Sequence, residues 1–391
     1  MPRKRMGRAP KGSGTIRWCA DKKLWEGRYI AGKNPATGKA IRKSIYAKTQ
    51  AEVQERLQKI QTEIKDGTFT EPSKITVTAW LDTWAAEYLG GVKESTQASY
   101  KGHIKNHIKP AIGGVKLQQL TPDAVQKFYN GLSKKGLSAK TVKNIHGVLN
   151  SALIQAVDDD YIKKNPCANR TLPRIAKKDI KVMDSATVTE FLTAITGHQF
   201  ETLYFVDLFC GLRQAEILGL SWKAINFKAG TMLIDKQLVK SKLDGRYYID
   251  TAKHDKVRVI KPAKMVMEML RLRKAHQAAE QLRAGVAWQN EWGLVFTDEM
   301  GKHLVHHTVR KHYKRIVADM GQPDLTFHAL RHSFAVLSLL NGDDAKTVQT
   351  NLGHHSAAFT LDTYGHTTAE MQAASAERMQ SFIESINKNS G

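Results

Sequence analysis

The chain has 391 residues, a net charge of +23, 41% hydrophobic and 25% charged residues. At roughly 100–200 residues per domain this length suggests two to four domains, and the hydrophobic share excludes a chain disordered throughout. No apolar run approaches the ~20 residues that span a bilayer, and the basic start, Met1 to Lys11, lacks the apolar middle of a signal peptide. Cys19, Cys167 and Cys210 are scattered, which argues against a disulfide scaffold or a Cys-based zinc site. The expectation is a soluble, multidomain, intracellular protein with a polyanionic partner. Residues 1–70 carry a net +11 of the total charge. A basic surface of this size exceeds the roughly 2–8 charges that solubility needs and attracts phosphate backbones.

Residues 1–12 read as a flexible basic arm. Three strand-like runs follow at Gly14–Ala20, Leu24–Ala31 and Ala40–Ala47, with turns at Asp21-Lys22-Lys23 and Asn34 to Gly38. Thr49 can then cap a helix whose apolar face is Val53, Leu57, Ile60 and Ile64. Residues 13–66 thus form an α+β unit, a three-stranded sheet backed by one helix. Its Arg and Lys residues, interleaved with Trp18, Trp25 and Tyr29, suit a sheet entering a DNA groove.

After a linker at Asp66 to Ser73, residues 75–162 read as an all-α unit of about four helices. The first holds Val77, Trp80, Leu81, Trp84 and Tyr88; the second sets Tyr100, Ile104 and Ile108 on one face and Lys101, Lys105 and Lys109 on another. Thr121-Pro122 and Ser138 start the third and fourth. Residues 163–182 are polar and basic and read as an interdomain linker. The last unit, 183–391, is mainly α with a strand-rich middle from Thr231 to Ile260. Its tail, Thr368 to Asn387, reads as a helix with Met379, Phe382, Ile383 and Ile386 on one face.

Four clusters in this last unit carry chemistry. Gly211-Leu212-Arg213 precedes Glu216, the glycine permitting a tight start to a helix with Arg213 in its first turn. An unpaired guanidinium is costly to bury, and Glu216 is placed to partner it. Lys253 lies at a turn between two strand-like runs, with Lys256 as the alternative lysine. His328 and Arg331 share a helix face. Leu352-Gly353-His354 is followed ten residues later by Tyr364. A zinc site at His303, His306 and His307 lacks completing ligands.

In this order and spacing the four clusters resemble the tyrosine recombinase, or phage integrase, family, through about residues 185–370. Residues 75–162 resemble its core-binding domain, and 13–66 the arm-binding domain of integrases from temperate phages and conjugative transposons. The resemblance implies a site-specific DNA recombinase that integrates and excises a mobile element. It implies a metal-independent strand transferase without cofactor, acting through a 3′-phosphotyrosine. Tyr364 would be the nucleophile, Arg213 and Arg331 the phosphate clamps, His354 a phosphate donor, Lys253 the general acid and His328 the proton acceptor or holder. Implied partners are double-stranded DNA with core-type and arm-type sites, a homo-tetramer on a Holliday junction, and an excisionase or DNA-bending accessory protein. The expected location is the bacterial cytoplasm, at the nucleoid. The rival readings are a type IB topoisomerase-like enzyme and a non-catalytic DNA-binding regulator. Whether the tail packs on its own protomer or a neighbour stays open.

Overall fold

The structure, a computed structural model, describes residues 15–33, 37–66, 74–176, 180–242, 244–251 and 257–353, with individual helical residues between 373 and 386. The chain divides into two compact units between Ala176 and Lys177.

The first unit begins with an antiparallel sheet, β1 (Thr15–Cys19), β2 (Leu24–Lys33) and β3 (Ala40–Ala47), in the order β1-β2-β3. Helix α1 (Gln50–Lys65) starts where expected, with the Thr49 hydroxyl accepting from the Glu52 amide. Side chains alternate across a strand, so Trp25, Gly27 and Tyr29 face α1. Gly27 has no room for more, since a Cβ there would meet Val53 Cγ1 at 2.5 Å. The other face of β2 presents Glu26 and Arg28. Glu26 is nearly inaccessible and accepts from Ser44, Tyr46 and Arg17, with Arg28 at 3.3 Å. The Ser44 and Arg17 hydrogen bonds hold its carboxyl down to about 2.

The rest of this unit is helical: α2 (Val77–Glu87), α3 (Glu94–His103), α4 (Lys109–Ile112), α5 (Pro122–Lys134) and α6 (Ala139–Asp158). Thr76, Thr121 and Ser138 cap α2, α5 and α6 through their hydroxyls. Trp80 is fully buried, and its indole N–H donates to the Ala152 carbonyl at 2.8 Å. Between α3 and α4 the chain makes a π-helical turn, Ile104–Ile108, where the sequence suggests one regular helix. Pro110 supplies the reason: it has no N–H, and its ring crowds the carbonyl four residues back. Of the lysines in the expected row, Lys109 is held in an ion pair with Asp82 at 2.5 Å. The first part of 163–182 packs on this unit: Cys167 is buried, and Gln126 exchanges two hydrogen bonds with Thr171.

The second unit runs α7 (Ser185–Ile195), α8 (Glu201–Cys210), α9 (Gln214–Leu218), β4 (Ile225–Asn226), β5 (Thr231–Ile234), β6 (Lys236–Lys240), β7 (Tyr247–Thr251), β8 (Arg258–Ile260), α10 (Lys264–Ala284), α11 (His306–Asp319), α12 (Ala329–Leu340) and α13 (Ala345–Leu352). Strands pair as β4-β5-β8 and β6-β7. An aromatic core of Phe191, Tyr204, Tyr313 and Phe327 ties α7, α8, α11 and the start of α12 together. Among the described residues no helix is long and apolar enough to cross a membrane. The fold class is the expected one: a sheet-plus-helix module, a helical module and a mainly α unit with small sheets.

Candidate active site

The site is built where helices end. Helix α8 stops at Gly211, left-handed at φ 61°, a conformation glycine adopts without strain. The fit is also tight, because a Cβ there would meet the Phe334 ring at 2.4 Å. The sequence expectation is corrected here. Gly211 terminates one helix rather than starting the next, and Arg213 is the extended N-cap residue of α9, not a first-turn residue. Three residues, Gly211 to Arg213, join the two helices and set Arg213 at the start of α9.

Arg331, in the first turn of α12, is 2% exposed. Its guanidinium donates to the carbonyls of Gly211 at 2.7 Å and Leu352 at 2.5 Å. Those oxygens close the C-terminal ends of α8 and α13, where helix carbonyls carry partial negative charge. That is how a buried cation is tolerated here. Arg213 is the more open of the two, its side chain 25% exposed. It donates to Glu216 Oε1 at 2.6 Å and to the Gly353 carbonyl at 3.2 Å.

Glu216 does more than the expected pairing. It accepts from the Arg213 amide at 3.0 Å and from both terminal nitrogens of Arg258, at 3.2 and 2.7 Å. Burial alone would raise its carboxyl, but the Arg258 fork and the Arg213 charge bring it down to about 2. Arg258 was not a sequence candidate. Its signal is the alternation of β8, where Val257 and Val259 are exposed while Arg258 and Ile260 are buried.

His328 is the N-cap residue of α12. Burial, then the positive charges of Arg331 and Arg213, pull its imidazole down to about 4. It is therefore neutral at pH 7 and able to accept a proton. Its ring lies edge-on to His332, centroids 4.5 Å apart. In an NMR titration of the free protein, His328 is expected to protonate near pH 4 rather than near the ordinary 6.5. The fold excludes that proton while the unfolded chain binds it, so this group lowers stability as pH falls through that window. Asp207, also missed by sequence, lies behind Arg331. Both its carboxyl oxygens lack a hydrogen-bond partner among the described residues. Burial raises it well above the carboxylate range, against the pull of Arg331.

The structure thus brings Arg213, His328 and Arg331 together around the ends of α8 and α13. Lys253 and its alternative Lys256, His354 and Tyr364 lie outside the described residues, as do His355 and His366. The flanks of the Lys253 segment are β7 and β8, as the sequence suggested. His303 and His306 pack on the Tyr247 ring, and no group of three metal-ligating side chains occurs among the described residues.

The arrangement offers two guanidiniums and a neutral imidazole, suited to an anionic, tetrahedral group. Residues 181–371 match the phage integrase family, and residues 76–133 match the phage integrase N-terminal SAM-like domain. A tyrosine recombinase XerC-like protein of Caldanaerobacter subterraneus subsp. tengcongensis is 28% identical over 365 residues, covering 88% of this chain and 93% of that protein. The ICEBs1 integrase of Bacillus subtilis is 26% identical, covering 93% and 99%. Among solved structures, a Tn1549 transposon integrase in complex with a circular intermediate DNA has a TM-score of 0.66 at 22% identity, covering 78% and 99%.

Proposed function

Because the chain belongs to the phage integrase family of tyrosine recombinases, we propose that it is a site-specific recombinase that integrates and excises a mobile DNA element. One observation carries this reading: Arg213, Arg331 and a neutral His328 converge at one site, Arg331 anchored on two helix-end carbonyls and Arg213 partly open. Arg213 meets the scissile phosphate first, with Arg331 forming the inner wall. Charge gathers on the non-bridging oxygens in the transition state, and forked guanidiniums neutralise it as Mg²⁺ does elsewhere.

Tyr364 attacks phosphorus through its phenolic oxygen, and His328 accepts or holds the phenolic proton. The P–O5′ bond breaks. Lys253 protonates the departing 5′-oxygen, and His354 hydrogen-bonds the phosphate. A 3′-phosphotyrosine and a free 5′-hydroxyl result. One phosphodiester becomes another ester of similar energy, so a 5′-hydroxyl from a second strand reverses the chemistry and completes exchange. Residues 13–66 hold arm-type sites, while 75–162 and the unit from 183 clamp core sites. Four protomers act on a Holliday junction with an excisionase or bending protein, in the cytoplasm of a bacterial host.

The test is a plasmid carrying two copies of the element's joined ends. The expected result is recombinant product that requires both sites. Relaxation of a plasmid with one site and no recombinants would move the protein to the topoisomerase reading. Tight binding with neither outcome would make it a regulator.

A further inference from the structure

We infer that Arg258 is a positioning residue for strand cleavage, one that leaves the charge of Arg213 available to the phosphate. The inference rests on the proposed function. Arg258 is 7% exposed, and each of its three side-chain nitrogens donates to protein: two to Glu216 and Nε to the Asn351 carbonyl at 2.7 Å. A guanidinium committed in this way does not touch DNA. Its effect runs through what it holds.

Three consecutive carbonyls at the end of α13 each accept from a different arginine. Asn351 takes Arg258, Leu352 takes Arg331 and Gly353 takes Arg213. The backbone at Gly353 lies so close that a Cβ there would meet Arg258 Nη1 at 3.1 Å. Glu216 bridges two of the three arginines from inside. The charge balance follows. With Arg258 present, one buried carboxylate faces two guanidiniums, and a net positive charge remains beside the open face of Arg213. Without it, Glu216 is a buried anion whose remaining cation is Arg213. That carboxylate would draw Arg213 inward and neutralise it, and the C-terminal turn of α13 would lose one of its three anchors. A misplacement of ~1 Å at a reacting centre can cost about 10²-fold in rate.

The test uses the full chain and nicked DNA bearing the element's core site, with single-turnover cleavage and DNA affinity measured separately. Arg258→Met is expected to slow cleavage about 10- to 100-fold while DNA affinity stays near wild type. Adding Glu216→Gln to it removes the stranded negative charge and keeps an oxygen for Arg213. The double variant is expected to cleave faster than Arg258→Met alone, an outcome that a purely structural role for Arg258 does not give. Wild-type cleavage by Arg258→Met, or a double variant no faster than the single one, would overturn the inference. Should Arg258→Met not fold, Arg258→Gln with and without Glu216→Gln carries the same comparison. Absence of any covalent product from the wild type would instead overturn the proposed function.

Discussion

Tyr364→Phe is expected to bind core-site DNA as tightly as wild type and to form no covalent complex with it. The substitution keeps the ring and removes only the attacking oxygen. A phenol with an ordinary pKa near 10 needs a proton acceptor, and His328 is neutral at pH 7, the form whose ring carries an acceptor nitrogen. In enzymes that work through a covalent intermediate, losing the nucleophile costs on the order of 10⁶-fold. No other tyrosine follows Leu352-Gly353-His354 within ten residues. Gel mobility shift reads the binding, and a denaturing protein gel reads the covalent complex on nicked DNA.

The second large effect divides between the two arginines. Arg213→Lys and Arg331→Lys each keep the charge and lose the planar fork, so each is expected to slow cleavage about 10²–10³-fold. Their effects on stability should differ. Arg213 is partly open, and a lysine there keeps a cation beside Glu216, so its substitution should lower the unfolding temperature less than that of Arg331. Arg331 is buried between the Gly211 and Leu352 carbonyls. A lysine cannot serve both helix ends with the same geometry, and a buried acceptor left without a donor costs about 1–3 kcal/mol. Arg331→Lys should therefore lower the unfolding temperature as well as the rate, which scanning calorimetry and single-turnover cleavage together resolve.

Local chemistry was readable wherever the signal was local. The hydroxyl caps at Thr49, Thr121 and Ser138 sit beside the helices they start, and the turn between β1 and β2 is written in Asp21-Lys22-Lys23. What was not readable depends on distant partners. Arg258 meets a carboxylate 42 residues away and a carbonyl 93 residues away, and only its place on the inward side of β8 hints at burial. Asp207 sits on a helix face shared with apolar residues, so its polarity alone gave no sign of the charge behind it. Arg213 and Glu216, which follow Gly211, suggest a helix start there. The left-handed φ of Gly211 is a property of the turn of α8 before it. The π-helical turn at Ile104–Ile108 was hidden by an apolar spacing that continues through it, although Pro110 marks the spot.

Covalent attachment to DNA through Tyr364 is tested by trapping the complex on nicked DNA, digesting both protein and DNA, and sequencing the modified peptide by mass spectrometry. The expected peptide spans Leu361-Asp362-Thr363-Tyr364, with the 3′-phosphate of the core-site strand on Tyr364. A nucleotide on another residue, or attached through its 5′-phosphate, would contradict the account.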